Sequence, residues 1–311
     1  MNFLFIDNVI TAATSVAVLY LMVLVGFICD RTGVYTEKTA KKTLDLLFYI
    51  IGPCLMINSI LSMDKTEETV KKFFISLLIA FATHIIAIIL NLPFFRSRSD
   101  KDAVFKYGSI YGNVGFMALP LAQAVLGAEG VFYCTSGVIA FNVLCFTHGV
   151  AVMSKGDFKP NLKKLIINPG VISVAIGLPL FLLEVELPYV IMQPLSYLGS
   201  LNTPVAMIIF GTYLSRTDLK KMFSHGKTYL TAFLKLIVLP LVCLGVYTLC
   251  GVSGPLLVAA SITASVPCAN NTFMFASKYE RDVDVASQTV ALVSFMSILT
   301  MPVIIAIAQS V

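Results

Sequence analysis

The chain has 311 residues, of which 58% are hydrophobic and 13% are charged, and its formal net charge is +5 at pH 7. Soluble domains carry about 25% charged residues, so this composition excludes an ordinary soluble globule and indicates an all-α integral membrane protein. The lysines and arginines are spread between apolar stretches rather than gathered in one patch, which argues against a nucleic-acid-binding protein.

The apolar stretches predict ten membrane spans, because a helix needs about 20 residues to cross ~30 Å of hydrocarbon. In chain order they cover residues 9–29, 43–62, 73–95, 103–126, 130–153, 165–183, 187–214, 228–250, 254–279 and 284–308.

Positive charge alternates between the loops that join these spans. The odd-numbered loops hold 18 Lys and Arg, the second loop holds three, and the other even-numbered loops hold none. Positively charged loops stay in the cytoplasm. We therefore expect a multi-pass protein of the plasma (inner) membrane, with cytoplasmic odd loops and both termini outside the cytoplasm. Lys235 lies inside the eighth span, and we expect its side chain to reach back to the cytoplasmic surface.

The ten spans divide into two halves of five, which must have opposite orientations because five is odd. We expect a first five-helix repeat at 1–154, a cytoplasmic linker at 155–164 and an inverted second repeat at 165–311. Weak internal similarity supports this division, since Gly52-Pro53 in the second span matches Asn202-Thr203-Pro204 in the seventh.

The fourth span of each half is broken near its middle by glycine, proline and asparagine. The first break lies in the stretch from Gly112 to Pro120, and the second surrounds Pro267, Asn270 and Asn271. A helix broken in lipid must satisfy its backbone against protein or a watery cavity. Two matched breaks are typical of the binding site of an inverted-repeat secondary transporter.

The stretch Gly112-Asn113-Val114-Gly115-Phe116-Met117-Ala118-Leu119-Pro120-Leu121 resembles the G-N-x-G-[FY]-x-x-x-P-[LI] signature of the auxin efflux carrier family. The resemblance extends over essentially the whole chain. It implies two inverted five-helix repeats, whose broken helices 4 and 9 cross as an X at the membrane midplane. It also implies a panel of spans 1, 2, 6 and 7 beside a transport domain of spans 3–5 and 8–10. Sodium–bile-acid symporters share this architecture.

Asparagines at the breaks are the candidate substrate-binding residues. Asn113, Asn270 and Asn271 offer amide donors and acceptors where the backbone is also open. Alternatively, they cap the new half-helices or satisfy one another. Asn142 in the fifth span joins them because that span packs beside the fourth, with helix–helix packing as its alternative role.

The glycines and prolines of the breaks are expected to serve geometry. Gly112 and Gly115 permit close helix approach, and Pro120 and Pro267 open the helices at the crossover. His84 lies close to the predicted midplane, where it is a candidate proton relay or a neutral ring bonded to a neighbouring helix.

We expect a transporter rather than an enzyme, because the chain has no H-E-x-x-H, Walker A or G-x-S-x-G motif. The expected substrate is a small organic anion of the auxin or malate/malonate type, bound at two helix N-termini, with no cofactor and no metal site. The other expected partner is the lipid bilayer, with a homodimer left open. A carrier of a neutral or amphipathic metabolite, or a non-transporting membrane sensor, remains the alternative.

Overall fold

The computed structural model describes residues 2–97, 99–155, 166–216, 222–223 and 225–311. These residues form helices and no named strand, and the predicted linker 155–164 lies outside them except for Lys155. The helices are α1 Asn2–Thr32, α2 Glu37–Leu61, α3 Glu67–Asn91, α4 Asp100–Ile110, α5 and α6 within Val114–Met153, α7 Pro169–Leu182, α8 Tyr189–Ser200, α9 Asn202–Ser215, α10 Gly226–Leu249, α11 Gly254–Ser265, α12 Asn271–Lys278 and α13 Val283–Ser310.

The long helical run Val114–Met153 folds back on itself at Gly127, which has a left-handed φ of 65°. The Cγ1 atom of Val114 lies 3.2 Å from the position that a Cβ would take on Gly137. An unbroken helix would separate these residues by roughly 35 Å. The run is therefore two antiparallel helices, α5 at 114–126 and α6 at 128–153, as the separate fourth and fifth spans require.

Five of the described helical runs are long and apolar enough to cross a membrane, namely Glu37–Leu61, Glu67–Asn91, Val114–Met153, Gly226–Leu249 and Val283–Ser310. Pro169–Leu182 and Gly254–Ser265 are shorter apolar helices. Apolar side chains also cover outward faces. On α3, Leu78, Ile85 and Ile89 are exposed, whereas Phe73 on the same helix is buried. An exposed apolar face of this kind is suited to contact with lipid hydrocarbon. The protein is therefore a multi-pass membrane protein.

Several helix ends differ from the predicted spans for local reasons. α3 ends at Asn91 because Pro93 cannot continue a helix. α7 begins only at Pro169, because the Asn168 side chain caps it by accepting from two backbone N–H groups. The predicted seventh span is two helices, α8 and α9, which meet at Leu201.

Ion pairs and hydrogen bonds join loops of the same parity. Asp30 in the first loop binds Arg216 in the seventh at 2.7 Å, and Lys227 binds Asp102 in α4 at 2.5 Å. Asp100 in the third loop binds Arg281 in the ninth at 2.6 Å. In contrast, Lys65 and Glu184 join the second and sixth loops at 2.8 Å. The described parts of the first, third, seventh and ninth loops therefore share one face, which is the arrangement that the alternating charge predicts.

Candidate functional site

The two breaks meet and form backbone hydrogen bonds with one another. The Asn113 N–H donates to the Pro267 carbonyl at 2.8 Å, and the Ala269 N–H donates to the Tyr111 carbonyl at 2.9 Å. Gly112 and Cys268 face each other as an isolated antiparallel bridge between these bonds. We call residues 111–113 and 266–270 the crossing. It satisfies backbone groups that α4, α5, α11 and α12 leave open at their ends.

Gly112 is the point of closest approach in the crossing. A Cβ on this residue would lie 2.9 Å from both the Lys235 Nζ and the Val266 Cγ2 atoms. Gly115, three residues later, has open space around the same position. The two glycines of the signature therefore differ. Gly112 makes the crossing possible, whereas the packing around Gly115 does not require glycine.

Three prolines near the site each follow a π-helical turn. Pro53, Pro120 and Pro240 each stand two residues after a π turn, at Leu47–Ile51, Val114–Ala118 and Leu234–Val238. The residue before each proline donates to the carbonyl five positions back. A proline ring clashes with the carbonyl four residues before it, and a wider turn relieves that clash. Pro120 thus accounts for the wide first turn of α5, which follows the break. Pro267, in contrast, lies within the crossing itself.

A cavity of about 580 Å³ lies against the crossing. Residues from α2, α5, α6, α7, α9 and α12 line it, and among the residues that the structure describes no lining residue is an acid, a lysine, an arginine or a histidine. Most of the wall is apolar and includes Phe48, Phe116, Phe141, Phe146 and Phe275. A mostly apolar wall with few polar groups is typical of a small-molecule site.

Six asparagines and the hydroxyl of Tyr49 supply the polar side-chain groups of the described wall. The asparagines are Asn113, Asn142, Asn168, Asn202, Asn270 and Asn271. Neither Asn113 nor Asn270 caps the helix that it precedes, and neither side chain bonds to another described residue. The amide nitrogen of Asn202 is buried and has no hydrogen-bond partner among the described residues. The amides of Asn113 and Asn270 are therefore open to a ligand, whereas the Asn202 nitrogen is unpartnered but buried.

The remaining asparagines have partners of their own. Asn168 donates to Asn142 at 2.9 Å while capping α7, and Asn142 donates to the Val138 carbonyl. This pair joins α6 to the start of the second half of the chain. Asn271 makes one long contact, at 3.9 Å, to the Cys145 sulfur. Asn142 accordingly has a packing role, and it still borders the cavity.

Four helices begin at the cavity wall. Their first residues are Val114 of α5, Pro169 of α7, Asn202 of α9 and Asn271 of α12, and all four line the cavity. A helix N-terminus carries roughly +0.5 of an elementary charge and presents unpaired N–H groups. At α7 the Asn168 side chain already accepts from the first free N–H groups, and α9 follows α8 through the helical residue Leu201. The N-termini of α5 and α12 therefore supply the positive potential at the cavity, without a cationic side chain in its described lining.

His84 is buried on α3, and its Nδ1 lies 2.8 Å from the Ala80 carbonyl of its own helix. Its ring centre is 6.0 Å from that of Tyr111 in the crossing. The Tyr111 hydroxyl in turn donates to the Leu144 carbonyl and lies 2.8 Å from His148 Nδ1. Neither histidine lines the cavity, and the proton-relay role of His84 stays a prediction.

The expectation that Lys235 reaches the cytoplasmic surface is wrong. The residue is 2% exposed, and its Nζ donates to the Ala264 carbonyl at 3.2 Å, beside Gly112. The π turn Leu234–Val238 and the end of α11 at Ser265 direct the side chain into the crossing. At this depth, an extended lysine side chain cannot bring its ammonium group into contact with water.

Sequence reasoning missed three residues of this region: Asn168, Asn202 and Lys235. Asn202 precedes Thr203-Pro204, the stretch that matches Gly52-Pro53, and Gly52 lies close to it, since a Cβ there would be 3.9 Å from the Asn202 Oδ1. The repeat signal could therefore have identified Asn202. Asn168-Pro169-Gly170 is a helix-start pattern that marks an N-terminus. For Lys235, the sequence showed how far the residue lies inside its span, but it did not show which residues surround its side chain.

Comparison with known proteins identifies the family. A family model described as "Membrane transport protein" matches residues 11–161 and 158–305. An uncharacterized transporter of Methanocaldococcus jannaschii is 25% identical over 293 residues, which cover 91% of this chain and 94% of that protein. A protein of Rhizobium meliloti named as a candidate malonate transporter is 23% identical over 293 residues, covering 90% of each chain.

An uncharacterized transporter of Methanothermobacter thermautotrophicus is 24% identical over 295 residues, covering 90% of this chain and 93% of that protein. Thus the family model spans nearly all of this chain, and these relatives align with it from end to end. The chain belongs to the auxin efflux carrier family of membrane transport proteins.

Proposed function

We propose that the protein is a secondary transporter that moves a small organic anion across the plasma membrane by alternating access. The observation that carries this proposal is the meeting of the α5 and α12 N-termini at a cavity whose described lining has no charged side chain. Such a site attracts a carboxylate through backbone dipoles and N–H groups. It also holds the anion weakly enough to release it, because no buried ion pair must be broken.

Malonate is the first substrate to test, since a relative of similar length is named for malonate. The open amides of Asn113 and Asn270 supply donors for carboxylate oxygens. The volume of about 580 Å³ and the phenylalanine-rich wall also accommodate a larger, amphipathic acid of the auxin type. A neutral metabolite would gain nothing from the positive potential of the α5 and α12 N-termini.

The proposed architecture is ten transmembrane helices in two inverted five-helix repeats, at 1–154 and 165–311. The cavity lies between the groups of spans that the family resemblance assigns to panel and transport domain. Its lining on α2, α7 and α9 belongs to the panel, and its lining on α5, α6 and α12 belongs to the transport domain. An elevator motion would carry the crossing past the panel and expose the anion to the other side.

The cavity extends to Ile167 and Asn168, just beyond the predicted cytoplasmic linker 155–164. With that orientation, we infer a cavity that opens toward the cytoplasm. The opposite state requires the transport domain to move relative to α2 and α9, which would close the present opening.

The test is uptake of radiolabelled malonate into proteoliposomes. Wild-type protein should give saturable uptake, which a non-transporting sensor would not. Asn113→Ala removes a hydrogen bond to a charged group, typically about 1.5–3 kcal/mol, so its apparent affinity should fall roughly 10- to 100-fold. Asn58→Ala is the matched control, because Asn58 is a span asparagine that does not line the cavity.

Equal elution profiles of both variants in size-exclusion chromatography would exclude misfolding as the cause. Near-normal malonate uptake by Asn113→Ala would contradict the assigned site. Transport of a cation, with no carboxylate transported, would contradict the proposed substrate class.

A further inference from the structure

Lys235 is a buried lysine at the crossing that the proposed transport site does not use directly. Its Nζ has three hydrogen-bond donors when protonated, yet it has one acceptor among the described residues, the Ala264 carbonyl at 3.2 Å. No ion pair joins it to a described carboxylate. Buried ammonium groups are normally paired with an anion or stripped of their proton.

The groups around the ammonium do not compensate its charge. Cys243 on its own helix, Cys268 in the crossing and His84 on α3 are the titratable groups that interact with it. α11 contributes the Ala264 carbonyl, and the chain beyond α4 contributes the backbone of Gly112. Among the described residues of α4 and α13 that pack against this part of α10, no charged side chain faces Lys235. A positive charge on Lys235 would therefore lack a partner when the cavity is empty.

The cavity lies on the other side of the same backbone segment. Lys235 Nζ is beside Gly112, and the next residue, Asn113, lines the cavity. One peptide segment thus separates the amine from the place proposed for the carboxylate. Little water or counter-ion can screen a charge pair at this depth, so a bound anion favours the protonated amine. By reciprocity, the protonated amine favours the bound anion.

We propose that Lys235 couples anion transport to proton movement, an inference that rests on the proposed function. When a carboxylate enters the cavity, the neutral ε-amine takes a proton from solvent and becomes an ammonium. When the carboxylate leaves, the same N–H bond breaks and the proton returns to solvent. Anion and proton therefore bind together and travel together, and Lys235 acts as a positioning charge that does not touch the substrate.

The experiment measures proton uptake when malonate binds to purified protein in detergent, at pH 7.5, in weak buffer with a pH-indicator dye. Binding itself is followed separately by the malonate-induced rise in unfolding temperature. Neutralised malonate is the probe, sodium chloride is the control salt, and acetate, succinate and glutarate extend the series. Wild-type protein should take up a measurable fraction of one proton per molecule on malonate binding.

Two substitutions distinguish the effect of a positive charge at position 235 from the exchange of a proton at that position. Lys235→Arg keeps a permanent charge, because arginine does not lose its proton in proteins. It should bind malonate within about threefold of wild type and take up no proton. Lys235→Met removes the charge, so it should bind roughly tenfold more weakly and also take up no proton. Lys278→Met, at an exposed lysine on α12, should behave as wild type.

The possible failures are distinguishable. Absence of binding by every carboxylate in the series would refute the proposed function and this inference with it. Carboxylate binding without proton uptake by wild type would refute the role of Lys235 alone. Proton uptake at the wild-type level by Lys235→Met or Lys235→Arg would also refute the role of Lys235 alone. Loss of that signal in His84→Gln, with retention in Lys235→Arg, would assign the proton to His84 instead. Size-exclusion profiles verify that each variant is folded, and one folded Lys235 variant suffices for the comparison.

Discussion

The backbone N–H of Asn113 donates to the carbonyl of Pro267 at 2.8 Å, across 154 positions of sequence. This bond joins the breaks of the two halves of the chain and fixes the side chain of Asn113 at the cavity wall. Pro267 has no N–H to place at the crossing, so its carbonyl accepts while the reciprocal bond comes from Ala269. The site is therefore built by pairing two helix interruptions, and its geometry depends on how closely they approach.

Gly112→Ala should disrupt this approach, whereas Gly115→Ala should not. The added methyl at Gly112 would lie 2.9 Å from Lys235 Nζ and Val266 Cγ2, whereas at Gly115 it meets open space. Overpacking of this kind typically costs about 1–3 kcal/mol. We expect a lower unfolding temperature and reduced malonate uptake for Gly112→Ala alone, measured by thermal scans in detergent and by proteoliposome assay. Equal stability of the two variants would contradict the steric role of Gly112.

Arg281→Gln should destabilise the odd-loop face. The Arg281 side chain donates to Asp100 at 2.6 Å, to the Met153 carbonyl at 2.8 Å and to the Ser154 carbonyl at 3.2 Å. Its loss leaves buried carbonyls without a donor, which costs about 1–3 kcal/mol. Lys155→Gln is the control, because Lys155 is half exposed and lies 3.7 Å from the same Asp100 carboxylate. Unfolding temperatures should fall for Arg281→Gln and remain within error for Lys155→Gln.

The Asp100 contribution to stability should depend on pH. The hydrogen bond from Arg281 holds the pKa of the Asp100 carboxyl below its usual value, and the charge of Lys155 lowers this pKa further. A lowered folded-state pKa stabilises the fold above the unfolded pKa of about 3.9, and this contribution disappears as the pH falls through the folded-state value. The difference in unfolding temperature between wild type and Asp100→Asn should therefore persist from pH 7 to 5 and shrink below pH 4. A difference that grows on acidification would contradict the assignment.

Transport should not require sodium. Neither residues 111–113 nor residues 266–270 include a carboxylate, and the Lys235 ammonium lies at the crossing between them. Sodium binds oxygen ligands, and the Lys235 amine, which carries a proton while the anion is bound, repels a cation at that stage of transport. Replacement of sodium by potassium on both sides of the proteoliposomes should leave the initial rate of malonate uptake unchanged. A strict sodium requirement would overturn both this expectation and the proton-coupling role of Lys235.

The odd-loop face should be cytoplasmic. Ion pairs show that Asp30 and Arg216, Asp102 and Lys227, and Asp100 and Arg281 lie on one face, and positive loops stay inside. In a cysteine-free background, Lys155→Cys should resist a membrane-impermeant thiol reagent in intact cells, and Glu184→Cys should react with it. Both positions should react in opened membranes. Reaction at position 155 from outside would invert the whole orientation.

Much of the site was predictable because it follows from local rules. Gly112, Asn113, Pro267 and Asn270 stand where an apolar helix cannot continue, so the breaks were visible in the residues themselves. Four of the six asparagines in the cavity wall were predicted. Asn113, Asn142, Asn270 and Asn271 lie in or beside the breaks, but Asn202 and Asn168 lie at helix starts elsewhere in the chain, and only packing brings them to the same cavity.

The sequence by itself determined that the chain enters a membrane, where its helices break and which loops share a face. These properties depend on hydropathy, on proline and glycine geometry and on the distribution of charge, which act over about 20 residues. The tertiary structure alone decided that four helix N-termini meet at one cavity and that Lys235 points into the crossing instead of toward solvent. Those outcomes depend on contacts between distant segments, and the direction of a long side chain is set by the neighbours that its helix acquires on packing.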